Sequence, residues 1–255
     1  MPCVFCQRDG PLTAEHVFPQ WPRSHLEDAS GSRGVHTRWI VREGESEPDE
    51  QTRPGKPATL TVRSVCAECN SGWMSRLEGD AKPYLESMIR GSRREYHSTG
   101  RTLIARWFVK TALVRGSRFP PALRREFYEQ ARTTGEPSDT TRVWIGATPR
   151  KQMHYTDFRQ IWVHEPQERP PGDPNGYSCV IAVGHLVGFV VSWLDREPSL
   201  AGVLPRFERA LVQAWPLSEA TSTWPPHTRL DLNGLDDLAD TVVDHPDRPD
   251  WRAHV

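Results

Sequence analysis

Two pairs of cysteines, each with the spacing Cys-x-x-Cys, most constrain what this chain can fold into. Cys3 and Cys6 stand at the start of the sequence, and Cys66 and Cys69 stand well inside it. A knuckle turn brings two thiolates three residues apart onto one ion, so the two pairs supply the four ligands of a tetrahedral zinc. Because four thiolates leave no open coordination position, we expect this zinc to stabilise the fold and not to catalyse.

The cysteine pairs have a second interpretation, as redox motifs of a protein whose thiols exchange with disulfides. Structural disulfides belong to secreted proteins. The first pair is followed at once by Gln7, Arg8 and Asp9, where a signal peptide needs a longer apolar core. No run approaches eighteen apolar residues. We therefore expect a cytoplasmic protein without a membrane partner, in which the pairs bind metal, and a buried thiol at Cys179.

The composition predicts a folded chain of 255 residues, in which 10 Trp and 8 Phe offset a hydrophobic content of only 36%. The net charge of −1 conceals a gradient, since residues 101–170 carry 13 Lys and Arg against 7 Asp and Glu, and residues 171–255 carry 6 against 12. Arginines cluster where the basic segment begins, at Arg90, Arg93, Arg94 and Arg101. We interpret them as contacts to nucleic-acid phosphates; the alternative is a solvated helix face.

Hydrophobic periodicity divides the chain into three parts. The first contains strands near Leu12–Val17, Val35–Val41 and Thr59–Val65. The second contains helices: one from Asn70 that Gly79 and Pro83 break in two, one over Thr102–Arg115, and one after Pro121. The third contains strands and ends in a short helix near Leu235–Val243. The predicted strands of that third part are Thr141–Ala147, Gln160–His164, Tyr177–Val183, Leu186–Leu194 and Leu211–Trp215.

Two short segments carry the signal for chemistry. The first is Ala14-Glu15-His16-Val17-Phe18-Pro19, and the second is Cys66-Ala67-Glu68-Cys69-Asn70. With Cys3 and Cys6, they resemble the HNH endonuclease family in its zinc-bound ββα-metal form, over roughly residues 3–78. The resemblance implies a treble-clef site in which one cysteine pair lies on a hairpin and the other at the start of a helix.

The resemblance also implies roles for three residues. His16 is the general base that deprotonates water, with a reference pKa of about 6.5 that allows the neutral form at cellular pH. Glu15 and Asn70 are oxygen ligands of a second ion, Mg²⁺ or Mn²⁺. Such an ion polarises the phosphate and stabilises the leaving oxygen. Cleavage would leave a 5′-phosphate and a 3′-hydroxyl.

Each of these residues has a structural alternative. His16 fits a zinc ligand or a surface histidine, Glu15 fits the cap of a turn, and Asn70 fits a helix cap. Glu78 lies about 12 Å from Asn70 along a helix at 1.5 Å per residue, so we expect a salt bridge or cap there and not a metal ligand. Thr61 stands where the family has its middle Asn, which favours a catalytically weak or inactive alternative.

The sequence thus predicts an α+β protein. A zinc-bound, treble-clef ββα-metal nuclease unit occupies residues 1–95, and residues 96–255 form a helical and antiparallel β region of unknown role. The predicted function is metal-dependent endonuclease cleavage of nucleic acid, with DNA favoured over RNA. The alternative is a zinc-bound module that binds nucleic acid or protein without cutting it.

Overall fold

The computed structural model describes residues 1–22, 60–149, 154–163, 173–198, 200, 203–217 and 221–242, and the backbone of 34–40 and 49–55. Helices and strands both occur along these segments, in runs of one kind and then the other, which is compatible with the predicted α+β class.

Two antiparallel strands and the helical segment after them form the N-terminal part. β1 (Leu12–His16) pairs with β4 (Thr61–Cys66), and their register is irregular between Thr13 and Glu15. β4 runs directly into the short helix α1 (Ala67–Cys69). The two strands are predicted from the sequence, and their pairing places the segment after the first cysteine pair beside the segment before the second.

The helical segment continues as a π-helical turn (Asn70–Met74) and the long helix α2 (Ser75–Ile89). The predicted break at Gly79 and Pro83 is wrong, because α2 runs through both residues. A continuous buried face outweighs the hydrogen bond that proline removes. The distortion lies instead at Gly72, whose φ of −89° and ψ of −108° are not helical. The buried face of α2 consists of Leu77, Ala81, Leu85, Met88 and Ile89.

Between β1 and β4, the described backbone contains a two-stranded antiparallel pair, β2 (Gly34–Ile40) and β3 (Asp49–Gly55). The strand predicted at Val35–Val41 is confirmed for residues 35–40. β3 was not predicted, because its sequence contains Pro54 and acidic residues that are uncommon in strands. The sequence predicts a surface excursion over residues 24–58, and the rest of that excursion lies outside the described residues.

A five-stranded antiparallel sheet forms the C-terminal part. Its strands are β6 (Thr141–Ala147), β7 (His154–Ile161), β8 (Gly176–Val183), β9 (Leu186–Trp193) and β10 (Leu211–Trp215). They lie in the order β10-β6-β9-β8-β7. The edge strand β7 begins and ends earlier than the predicted Gln160–His164, and all of its residues are half-buried. A separate pair of short strands, β5 (Arg94–His97) and β11 (Thr221–Trp224), was not predicted.

Helices cover both faces of this sheet. The central helix α3 (Ser98–Gly116) contacts strands of the sheet on one side and α2 on the other. α6 (Leu232–Asp240) contacts β7 and β8 and contributes to a second core cluster. Because helices cover both faces of the sheet, every residue of β8 and β9 is buried. This burial explains why the two strands are mostly apolar and do not alternate. The remaining helices are α4 (Arg125–Thr133) and α5 (Val203–Phe207).

The first core cluster joins the N-terminal and C-terminal parts. It contains Phe5 from the first cysteine knuckle, Trp107 from α3 and Tyr177 from β8. The predicted boundary between residues 95 and 96 falls inside β5. None of the helices in the described part of the chain has the length and apolar character needed to cross a bilayer.

The turn between β8 and β9 fixes the sheet against the end of α2. Gly184 has φ of +58°, in the left-handed region that favours glycine, and the His185 amide donates to the Ile89 carbonyl oxygen at 3.0 Å. A Cβ added at Gly184 would lie 2.5 Å from that same oxygen. The close approach of two backbones therefore requires glycine here.

Gly184→Ala tests this contact. We expect the substitution to lower the free energy of unfolding by about 2 kcal/mol or more, because it adds left-handed strain and a steric overlap with backbone. Gly79→Ala is the matched control, since a Cβ there meets no atom within 4 Å and Ala favours the helix by about 0.5–1 kcal/mol. Urea denaturation of both variants checks the prediction, and equal unfolding midpoints would contradict it.

Candidate functional site

The four cysteines of the two pairs meet at one point. Their sulfur atoms all lie within 4.8 Å of one another, and the Sγ atoms of Cys6 and Cys66 are 3.6 Å apart. A tetrahedral zinc with bonds of about 2.3 Å to sulfur requires separations of about 3.8 Å between sulfurs, so the cluster has nearly the size of a zinc cage. All five cysteines of the chain are free thiols, and Cys179 is buried, as predicted.

Main-chain contacts shape this cluster. The first pair forms a tight turn, in which Gln7 has φ of +58° and its amide donates to the Cys3 carbonyl oxygen at 2.8 Å. The amide of Val4 donates to the Ser64 carbonyl oxygen at 2.9 Å. These contacts hold the turn beside β4, which carries Cys66 at its end. The short helix after β4 then presents Cys69 to the same point.

The thiols differ in acidity because their surroundings differ. Burial raises the pKa of Cys3, but main-chain hydrogen bonds to its sulfur, the largest from Cys66, outweigh burial and lower the pKa to about 7. Burial raises the pKa of Cys69, and the charge on Cys3 raises it further. A divalent ion would offset that cost by pairing with the thiolates, so the cluster suits a metal such as zinc.

Zinc content tests the cluster. The purified Cys69→Ala protein should contain less than about one zinc per two chains, because only three of the four zinc ligands remain. Its unfolding temperature should be lower for the same reason. The matched control is Cys179→Ala, which removes a buried thiol outside the cluster and should retain one zinc per chain. Zinc analysis of the purified proteins by mass spectrometry decides the matter, and equal zinc in both variants would contradict the assignment.

A second group of polar side chains lies beside the cysteine cluster. The Asn70 Nδ2 donates to the Thr13 hydroxyl at 3.0 Å, and the Asn70 side chain lies close enough to the Glu15 carboxylate to lower its pKa. The Thr13 hydroxyl also bonds the Val65 carbonyl oxygen at 2.9 Å. The structure therefore brings together Glu15 and Asn70, which the sequence predicts as partners.

The same group contains a lysine that sequence reasoning missed. The Lys110 ammonium, on α3, lies 2.7 Å from a carboxylate oxygen of Glu78 and 3.7 Å from one of Glu15. The side chain of Lys110 is 1% exposed, that of Glu15 10% and that of Glu78 27%. The predicted salt bridge at Glu78 is confirmed. The sequence signal that could have identified this contact is a single lysine within an apolar helix. A buried ammonium requires a carboxylate partner, so such a lysine predicts an ion pair.

Burial and the charge of Lys110 shift the pKa of Glu15 in opposite directions. Burial raises the pKa of Glu15, and the negative Glu78 adds to the rise. The ammonium of Lys110 acts in the opposite direction and favours the ionised carboxylate. We call Glu15, Asn70, Glu78 and Lys110 the carboxylate–lysine group.

Lys110→Met tests how far this group depends on its cation. The variant leaves Glu15 and Glu78 without their shared ammonium, and we expect a loss of about 3 kcal/mol in the free energy of unfolding. Glu78→Gln combined with Lys110→Met removes both members of the closest ion pair. This double variant should lose less free energy of unfolding than Lys110→Met alone, because Glu78 no longer leaves an unpaired charge. Lys82→Met, at an exposed lysine over the Trp21 ring, should cost at most about 1 kcal/mol. Chemical denaturation would contradict the account if Lys110→Met matched the Lys82 variant.

His16 occupies a different position from Glu15 on the same strand. His16 is the last residue of β1 and is half-buried, whereas the adjacent Glu15 is buried. Its cross-strand partner is Thr61, which places the Thr61 side chain on the same face as His16. Among the described residues, the cluster that could hold a metal ion consists of the four cysteines and does not contain His16. The role of His16 as a general base stays a prediction.

The predicted basic surface is only partly present. Arg90, Arg93 and Arg94 are exposed, and Arg90 pairs with Glu86 at 2.6 Å. The prediction for Arg101 is wrong, because its side chain is fully buried and its Nη2 donates to the Gln213 carbonyl oxygen at 2.5 Å. Arg101 anchors the start of α3 to β10 and does not face solvent.

The donors of the carboxylate–lysine group fit a hard divalent cation in type. A carboxylate and an amide oxygen suit Mg²⁺ or Mn²⁺. The Lys110 ammonium is hydrogen-bonded to Glu78 and stands farther from Glu15, so Glu15 retains an oxygen for another cation. Comparisons of the chain with family models, with curated proteins and with solved structures give no match.

Proposed function

We propose that this chain is a metal-dependent endonuclease of the HNH type that hydrolyses phosphodiester bonds in nucleic acid, with DNA favoured over RNA. One observation carries the proposal: the Asn70 side chain, directly after a cysteine of the four-cysteine cluster, bonds Thr13 of β1 and lies near the Glu15 carboxylate of the same strand. A carboxylate on one strand and an amide after the second cysteine pair are the two ligands that the HNH resemblance implies. Their convergence supports that resemblance over a purely redox use of the cysteines.

Each residue has a role set by its position. Glu15 and Asn70 hold the divalent ion, which when bound polarises the phosphate and stabilises the leaving oxygen. His16 accepts a proton from the attacking water. Thr61 lies across the strand pair from His16 and supplies a hydroxyl on the face where the family has an amide. The exposed Arg90, Arg93 and Arg94 attract the phosphate backbone independently of sequence.

A supercoiled plasmid tests this function. Zinc-loaded protein should cut it only with Mg²⁺ or Mn²⁺, and His16→Ala should slow cutting about 100-fold or more, because general bases contribute at least that factor. His227→Ala, at an exposed histidine outside the site, should cut like the unmodified protein. A single-stranded RNA of matched length shows whether DNA is the preferred substrate.

Two results would contradict the nuclease. The first is cutting that continues at the same rate in His16→Ala, and the second is no cutting by the unmodified protein with either ion. The second result favours the alternative, a zinc-bound module that binds nucleic acid or protein without cutting. One observation supports that alternative: Lys110 already supplies positive charge to the Glu15 and Glu78 carboxylates.

A further inference from the structure

The position of Lys110 bears directly on how the site takes up a metal ion. Its ammonium is fixed on the central helix, almost completely buried, and faces carboxylates from two other elements, β1 and α2. A divalent ion on Glu15 would therefore share that carboxylate with a protein cation. In a buried site, where charges are poorly screened, two cations a few ångströms apart repel strongly.

The two contacts of Lys110 are unequal. The 2.7 Å separation from Glu78 is a charge-assisted hydrogen bond, whereas the 3.7 Å separation from Glu15 is longer than a hydrogen bond. Glu78 therefore holds the ammonium, and the attraction between Lys110 and Glu15 acts mainly through charge. An ion that binds Glu15 leaves the Lys110–Glu78 bond intact and weakens only the longer contact.

We propose that Lys110 is a positioning residue that competes with the divalent ion for Glu15 and so sets the metal affinity of the site, with Glu78 holding the ammonium in place. The proposal rests on the proposed function in one respect only, that the ion binds at Glu15 and Asn70. It assigns a role to two residues, Lys110 and Glu78, to which the HNH resemblance gives none. The free protein accordingly binds the ion weakly.

Binding of Mn²⁺ to zinc-loaded protein tests the competition without nucleic acid. Electron paramagnetic resonance of free Mn²⁺ gives the Kd for the unmodified protein, for Lys110→Met and for Lys82→Met. We expect Lys110→Met to bind Mn²⁺ about tenfold or more tightly, because one repelling cation is gone, and Lys82→Met to match the unmodified protein. Adding Glu15→Gln to Lys110→Met should abolish the gain.

A second variant keeps the test decisive where Lys110→Met fails to fold. Glu78→Gln with Lys110→Met removes the carboxylate and the ammonium together, so the net charge of the pair is unchanged. This double variant should also bind Mn²⁺ more tightly than the unmodified protein, because the cation nearest Glu15 is gone, but by less than Lys110→Met, because the attracting Glu78 carboxylate is gone as well. A purely structural role for Lys110 predicts no gain in affinity in any folded variant.

Separate outcomes distinguish this inference from the proposed function. Tighter Mn²⁺ binding that depends on Glu15 supports the competition even where no variant cuts nucleic acid, a result that would remove the nuclease alone. Unchanged or weaker Mn²⁺ binding in the folded Lys110 variants overturns the competition, whatever the plasmid assay gives. A gain that survives Glu15→Gln also overturns it, because the ion then binds elsewhere.

Discussion

The four-cysteine cluster is the constraint on which the rest of the structure depends. It joins a turn at the beginning of the chain to the junction of β4 and α1, and β1 lies between these two points in the fold. Asn70 directly follows Cys69 of the cluster, and Glu15 lies on β1, which pairs with the strand that ends at Cys66. Fixing the sulfurs therefore fixes the separation of the carboxylate and the amide, and an ion that offsets the cost of burying thiolates also orders the second site.

The central helix α3 adapts the second site to the rest of the protein. It is buried between the five-stranded sheet and α2, so any charge on it must be paired. Arg101 meets this requirement through a carbonyl oxygen of β10, and Lys110 meets it through Glu78 and Glu15. The C-terminal sheet, whose role the sequence does not indicate, thus supplies the surface on which α3 packs, and α3 presents Lys110 to β1 and α2. Through that helix, the sheet helps to set the charge environment of the proposed ion site.

Local signals made part of this structure predictable. The cysteine spacing, the Glu-His dipeptide and the Asn after the last cysteine predict both the cluster and the proximity of Asn70 to Glu15. The apolar runs predict strands β6, β8 and β9. Partners that lie far apart in sequence were not predictable, since β5 pairs with β11 more than a hundred residues later and Lys110 pairs with Glu15 and Glu78. Arg101 resembles a surface arginine in sequence, and only the packing of β10 over it makes it structural.

Anomalous diffraction from crystals of the zinc-loaded protein soaked in Mn²⁺ tests the central claim most directly. Data collected on either side of the zinc edge should show one zinc within about 2.3 Å of the four cysteine sulfurs. Data at a wavelength where manganese scatters anomalously should show a second ion about 2.2 Å from an oxygen of Glu15, with Asn70 as its neighbour and Lys110 still bonded to Glu78. Zinc at the sulfurs with no manganese at Glu15, at Mn²⁺ concentrations that fill the site in solution, would contradict the account.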